Sequence, residues 1–346
     1  MLLGRKDPDQ GTSHCSQGAL RVGGQAVIEG VMMRAPKSMA IAVRRPSGEI
    51  VVKRKELNLF SEKHRLSKLP LVRGVMTLLS ALVLGIQALN YSANQALSEG
   101  EEETSPWTLG LTLVIALSLG IVLFFLVPLY LTKWSQGVIP LVSESGFFFN
   151  VVDGILRLMI FLAYLWLISL SKEIRRVFQY HGAEHKSIFA FEAGEVLRVD
   201  RVKSYSHLHP RCGTSFLLIV MVVSILVFAL IPHHLPFGYK VASRVVFIPL
   251  IAGISYEFIR FADRKRKSPG MRFFILPGLW LQRLTSKEPS EDQLEVAIRA
   301  LQEVLELEGQ SEALMIYHHR VPLDPAQRAW PAGHAPVRKH KGKNDV

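Results

Sequence analysis

The chain has 346 residues, 49% of them hydrophobic and only 20% charged, with a formal charge of +12 at pH 7. The apolar residues gather into membrane-length runs, which excludes an ordinary soluble protein of two or three domains, and the basic surplus lies between those runs without an aromatic-rich or zinc-finger pattern, so nucleic acid is not an expected partner. The fold class read from this is an α-helical polytopic membrane protein: about four transmembrane helices plus an interfacial helix, with a small cytoplasmic β unit and a C-terminal amphipathic helix.

Residues 1–21 are polar and are expected to be disordered. The first apolar run of useful length begins near residue 75, so no amino-terminal signal segment is expected. From Val22 the runs GGQAVIEGVMMRAP and MAIAVRRPSGEIVVKRKEL are rich in β-formers, and Pro46-Ser47-Gly48-Glu49 is a hairpin signal. Residues 22–73 are therefore expected to form a cytoplasmic antiparallel β unit. Gly23, Gly24 and Gly30 lack the G-K-[ST] sequel of a phosphate loop and are read as bends or close approaches. Glu29 has two open roles, an ion pair with Arg34 or a place beside the functional site.

The membrane domain is assigned to residues 74–261. Its clearest spans are Leu109 to Leu131, Val151 to Leu170, Ser215 to Ile231 and Val241 to Phe261, each near the ~20 apolar residues that cross a bilayer. A further stretch, Val75 to Leu97, is interrupted by Gln87, Asn90, Ser92, Asn94 and Gln95. Orientation follows from Lys and Arg: residues 1–73 hold 14, 171–214 hold 8 and 262–346 hold 14, against one in 132–149 and two in 232–244. Positive-inside logic places the three rich segments, with both termini, in the cytoplasm. Four crossings satisfy this parity and five do not, so the stretch 75–97 is read as interfacial or re-entrant, keeping Glu99 to Glu103 inside. Asp153 and Arg157 stand at i,i+4 in the second span, where they can neutralise each other.

The segment 171–214 is the site loop. His181, Glu184 and His185 spell H-x-x-E-H, and His209 and Cys212 follow at H-x-x-C spacing. On a helix continuing from Lys172, His181 and His185 share a face, which lets two imidazoles reach one cation, with Glu184 beside them as a general base. H-x-x-E-H is also the residue order of one class of zinc peptidases. Gly182 weakens such a helix slightly. Glu192, seven residues after His185, shares its face if the helix persists to Gly194. Residues 196–202 look extended, and a helix starting near Ser215 would put His209 and Cys212 at its cytoplasmic mouth. Glu257, one turn inside the same face at the end of the last span, is brought to that level by the topology alone. Cys15 and Cys212 make no disulfide framework and both face a reducing compartment.

Beyond Arg264-Lys265-Arg266-Lys267, the stretch Met271 to Leu284 is too short to span and carries Trp280 as an interface anchor. Ser290 opens a helix with Gln293 in capping-box position, and Leu294, Ala297, Ile298, Leu301, Val304 and Leu305 form a stripe that needs a partner, most simply the β unit. From residue 309 the basic tail is expected to be disordered, and its His318, His319, His334 and His340 are scattered.

Through GGQAVIEGVMMR, YHGAEHKSIFAFE, HPRCGTSFLLIV, ISYE and PGLWLQRLT, the sequence resembles the YqhQ-like family of bacterial multi-pass membrane proteins over roughly residues 22–308. That family carries a predicted metal-dependent enzyme label and no known substrate. The residues matching its motifs are Glu29, His181, Glu184, His185, His209, Cys212 and Glu257.

Two function classes follow. The first is a metal-dependent, zinc-type membrane hydrolase acting on a protein or lipid-linked substrate at the cytoplasmic face. In it His181 and His185 bind the cation, Glu257 or His209 supplies the third ligand, and Glu184 is the base. The second is a non-catalytic assembly or regulatory factor in which His181, His185, His209 and Cys212 close a structural site. A transporter would need more helices or an internal repeat. Without metal, the same side chains would cap helices and bond to carboxylates. The expected partner is the lipid bilayer.

Overall fold

The computed structural model describes residues 20–57, 69–97, 105–210, 212–231, 235–265 and 268–309. The expectations for residues 1–19, for the acidic stretch Glu99 to Glu103 and for the tail from 310 lie outside the described residues.

The β-rich start folds as a four-stranded antiparallel meander, β1 Gly23–Val27, β2 Gly30–Arg34, β3 Ser38–Arg44 and β4 Ile50–Glu56, in the order β1-β2-β3-β4. The hairpin expected at 46–49 joins β3 to β4, and the first run folds as a hairpin of its own, with Val27 opposite Gly30. That tight turn holds Glu29 in the left-handed region at φ 51°, unusual for a non-glycine residue. Alternation along the strands makes both faces apolar. Val27, Met32, Met39, Ile41 and Val43 pack with Leu84 and Ala88 of α1, Pro70–Gln95. The opposite face, with Val31, Met33, Ala40 and Ala42, is equally buried and receives α6, Lys172–Glu192, and α12, Glu291–Leu307.

Helix α12 opens with the full capping box: Ser290 Oγ accepts from the Gln293 N–H at 3.4 Å while Gln293 Oε1 accepts from the Ser290 N–H at 3.0 Å. Its stripe of Leu294, Ala297, Ile298, Leu301, Val304 and Leu305 is buried, on the partner expected for it. Ion pairs of Arg44 with Glu295, and of Arg54 with Glu303 and Glu306, tie the same two elements at the rim.

Three helical stretches are long and apolar enough to cross a membrane by length and composition, Pro70–Gln95, Gly110–Ser135 and Gly146–Ile168, and a bent pair makes a fourth. The second is α2, Pro106–Ile121, and α3, Val127–Ser135, continuous through a π-helical turn Val122–Leu126; the third is α5, Gly146–Ile168, preceded by the short α4, Pro140–Glu144. The fourth consists of α9, Phe237–Val246, and α10, Ile248–Arg264, bent by 42°. Pro249, in the first turn of α10, supplies the reason: it has no N–H to carry the ladder across Phe247. The expected single span Val241 to Phe261 is thus a broken one. Helix α8, Gly213–Ala229, is apolar but only 17 residues long.

Helix α1, expected to be interfacial or re-entrant, is long and apolar enough to cross a membrane by length and composition. Its two halves nevertheless differ. Gly74 lies against Gly253 and Tyr256 of α10, whereas in the second half Ser92 takes the Ile28 N–H, Gln87 takes Lys55, Gln95 takes Arg45, and Lys53 lies over the Tyr91 ring. Of the polar residues that broke the apolar run, Gln87, Ser92 and Gln95 meet the β unit.

Asp153 and Arg157 pair at 2.9 Å as expected, fully buried, and a third member joins them: Arg244 of α9 reaches Asp153 Oδ2 at 3.0 Å and Asn150 Oδ1 at 3.1 Å. Residue 244, at the start of the expected span Val241 to Phe261 and also counted with the loop 232–244, is an interior residue. Where residues 196–202 looked extended, a short helix α7, Val199–Val202, forms. Met271 to Leu284 belongs to α11, Pro269–Thr285, which packs on α8.

Candidate metal centre

Helix α6 runs unbroken through H-x-x-E-H and stops in a Schellman arrangement, with Gly194 at φ 70°, its N–H on Phe191 O and the Glu195 N–H on Ala190 O. His181 and His185 therefore sit one turn apart with ring centroids 4.3 Å from each other. Gly182, which sequence reasoning marked as a weak point, has a positive use. A Cβ there would lie 2.0 Å from the Lys287 carbonyl oxygen, and the Lys287 N–H bonds to Phe178 O at 2.9 Å. Only glycine lets the link between α11 and α12 dock on this face. Gly182→Ala is therefore expected to lower stability by about 1–3 kcal/mol through overpacking, although helix propensity alone would raise it by about 1 kcal/mol. The sign of the change in thermal midpoint decides between the two.

That docked link orients the histidines. His181 Nδ1 lies 2.7 Å from Thr285 O, and His185 Nδ1 lies 2.6 Å from His207 O. A carbonyl oxygen only accepts, so both Nδ1 atoms carry protons and both Nε2 lone pairs are left to face inward. Cys212 meets them there, with His181 Nε2 at 3.2 Å from Sγ. One ligand atom each from His181, His185 and Cys212 lies within 4.8 Å of the others. Cys212 is the N-cap of α8, accepting from the Thr214 N–H at 3.4 Å, so the positive end of the helix dipole faces the sulfur.

The remaining expected residues divide. Glu184 is buried, its Oε2 4.0 Å from His181 Nε2. Gly24 of β1 lies over it: a Cβ at that position would stand 2.7 Å from Glu184 Cγ. Burial pushes the Glu184 carboxyl above the usual carboxylate range, against the pull of His181, His209 and the Gly24 N–H; burial holds His185 below its ordinary value, opposed mainly by Cys212. His209 is buried beside the group, its ring 5.7 Å from that of His185, with Nε2 3.7 Å from Glu192 Oε2 and Phe189 against it. Gln282 of α11 clamps its backbone, accepting from the His209 N–H and donating to His209 O, both at 2.8 Å. Glu192 thus attends His209.

Glu257, expected as a ligand, is paired instead with Arg73 of α1 at 2.6 Å and is not in the group. It matched by membrane level, but a level is a plane, and helix packing decides where in that plane a side chain falls. Glu29 pairs with Arg176 rather than with Arg34, and its Oε2 also accepts from Tyr180 Oη at 3.2 Å. It fastens the β1–β2 turn to α6 one turn before His181.

Sequence reasoning missed the carbonyls of Thr285 and His207, together with Ser286, whose hydroxyl donates to the same His207 oxygen at 2.8 Å. Backbone acceptors carry no residue-type signal, and these come from segments 22 to 104 positions away.

A family model described as "Protein of unknown function (DUF1385)" matches residues 69–307. The chain belongs to that family. It is also 34% identical over 317 residues, covering 86% of this chain and 96% of the other, to the "Uncharacterized protein YqhQ" of Bacillus subtilis (strain 168). No solved structure matches. The DUF1385 match contains His181, His185 and Cys212, whereas Glu29 and the sheet lie before it.

Proposed function

We propose that this DUF1385 protein is a membrane-embedded, metal-dependent enzyme of hydrolase type, working on a peptide or lipid-linked substrate at the cytoplasmic membrane face. The observation that carries the reading is the pair of Nδ1–H bonds to Thr285 O and His207 O, which aim two Nε2 atoms at the Cys212 sulfur. Metal-ligating histidines characteristically donate their other ring N–H in this way. Two imidazoles and a thiol sulfur suit a borderline-soft divalent cation such as zinc, so the residues fit the group.

When bound, such a cation supplies Lewis acidity to a carbonyl or phosphoryl oxygen. The rest falls to the chain. His181, His185 and Cys212 hold the cation and are themselves held by the α11–α12 link and the α8 N-terminus. Glu184, the carboxylate nearest His181, receives and returns a proton at its Oε2. The sheet covers that carboxylate through Gly24, which excludes water from one side. The location is supported by the distribution of Lys and Arg: basic segments flank the apolar helices, and by the positive-inside tendency the segment carrying α6 would lie on the cytoplasmic side. A closed structural site would need His209 as a fourth ligand, and among the described residues the ligand atoms that lie together are those of His181, His185 and Cys212.

Glu184→Gln tests the base. The purified variant is expected to retain its metal, measured by elemental analysis, while a panel of quenched peptides and lipid-linked esters in vesicles is cleaved about 100-fold to 10,000-fold more slowly than by the parent. Cleavage at the parental rate would sink the role of Glu184, and a parent protein that takes up no metal after chelation and refilling would sink the whole reading.

A further inference from the structure

At the other end of α5 the structure holds a second polar centre. Asp153 lies fifteen residues before Ile168, so about 22 Å of helix separates it from the start of the α6 region. Arg157 and Arg244 are both buried and both bond to one oxygen, Asp153 Oδ2, at 2.9 and 3.0 Å. Among the described residues Asp153 is the sole carboxylate paired with either, so one positive charge is left over in an apolar setting. Arg157 Nε and Arg244 Nε are buried donors with no hydrogen-bond partner, and Asp153 Oδ1 is a buried acceptor with none. Both guanidinium groups rest against the Phe228 ring, at 5.2 and 4.6 Å. One turn before Arg244, Lys240 lies over the Phe149 ring at 4.3 Å, within electrostatic reach of Arg244 and Lys133.

A surplus cation inside a membrane protein is costly unless an anion joins it. On the other face of α9 lies an apolar cavity of about 630 Å³, lined among others by Leu230, Ile231, Tyr239, Ala242, Val246 and Leu250. Asn150 Nδ2 donates to Ile231 O at 3.4 Å, which places the cavity wall beside the charged cluster. Positive charge next to an apolar cavity is complementary to an anionic amphiphile.

We propose that the Arg157–Arg244–Lys240 cluster binds the phosphate headgroup of an anionic, hydroxyl-bearing lipid of phosphatidylglycerol type, with an acyl chain in the adjacent cavity. The phosphate oxygens accept from the guanidinium and ammonium donors, and a headgroup hydroxyl donates to Asp153 Oδ1. The inference rests on the membrane reading of the helices and not on the metal centre.

The test uses the full chain, delipidated in detergent and titrated with phosphatidylglycerol, phosphatidylcholine or inorganic phosphate, read by native mass spectrometry and thermal melting. Phosphatidylglycerol is expected to bind and raise the melting temperature, phosphatidylcholine to do neither, and phosphate to compete only weakly. Lys240→Gln, at a half-buried position, is expected to weaken phosphatidylglycerol about five-fold with the fold intact. Arg244→Gln weakens it further if that variant folds, and Lys240→Gln carries the test if it does not. Equal binding of phosphatidylcholine, affinity unchanged in Lys240→Gln, or inorganic phosphate binding as tightly as the lipid would each overturn the proposal. His185→Ala should leave lipid binding untouched, so failure here and failure of the metal reading are distinguishable.

Discussion

His185→Ala and Cys212→Ser are each expected to lower metal affinity at least about 100-fold, since removing a ligand should exceed the 10- to 100-fold cost of removing a group that only supports one. The serine variant is the cleaner of the two. Cys212 also caps α8 by accepting from the Thr214 N–H, and serine caps a helix well, so the fold should survive while the soft donor is lost. His185→Ala additionally leaves the His207 carbonyl with only Ser286, a loss of about 0.5–1.5 kcal/mol. Circular dichroism beside elemental analysis separates metal loss from unfolding. Glu257→Gln serves as the contrast: that carboxylate belongs to Arg73, and metal content should not change. Full metal retention in both His185→Ala and Cys212→Ser would remove the centre.

Asp153→Ala should destabilise the protein by about 3–5 kcal/mol, because it leaves two buried guanidinium groups without their shared anion. The cost arises from the stranded charges rather than from the value of the pair. A triple variant, Asp153→Leu with Arg157→Met and Arg244→Met, is accordingly expected to regain most of the stability, in the manner of buried ion pairs replaced by apolar residues of similar volume. Thermal midpoints in detergent measure both. An Asp153→Ala protein as stable as the parent would show that the cluster carries no structural charge balance. In the lipid reading, the triple variant should also lose its phosphatidylglycerol stabilisation.

Both results depend on local features that were plain in the chain and on contacts that were not. The helix through H-x-x-E-H, the i,i+4 placement of Asp153 and Arg157, the Ser290–Gln293 capping box and the hairpin at 46–49 are short-range patterns. Their spacing matches the helical period or turn chemistry, so residue types alone state them. The apolar stretches are similarly legible, because bilayer thickness sets their length.

What the sequence by itself determined is therefore most of the elements and the chemistry-bearing residues they carry, His181, Glu184, His185 and Cys212 among them. Tertiary structure decided which of these meet. It brought the α8 cap to the α6 histidines, gave each imidazole a distant backbone carbonyl, sent Glu257 to Arg73 and Glu29 to Arg176, and joined Arg244 to Asp153. It also turned Gly182 from a helix defect into a docking point. The physical reason is common to all of them. Periodicity and capping are encoded within a few residues, whereas the partner of a charge or a ring nitrogen is chosen by packing between segments whose separation along the chain says nothing about their distance in space.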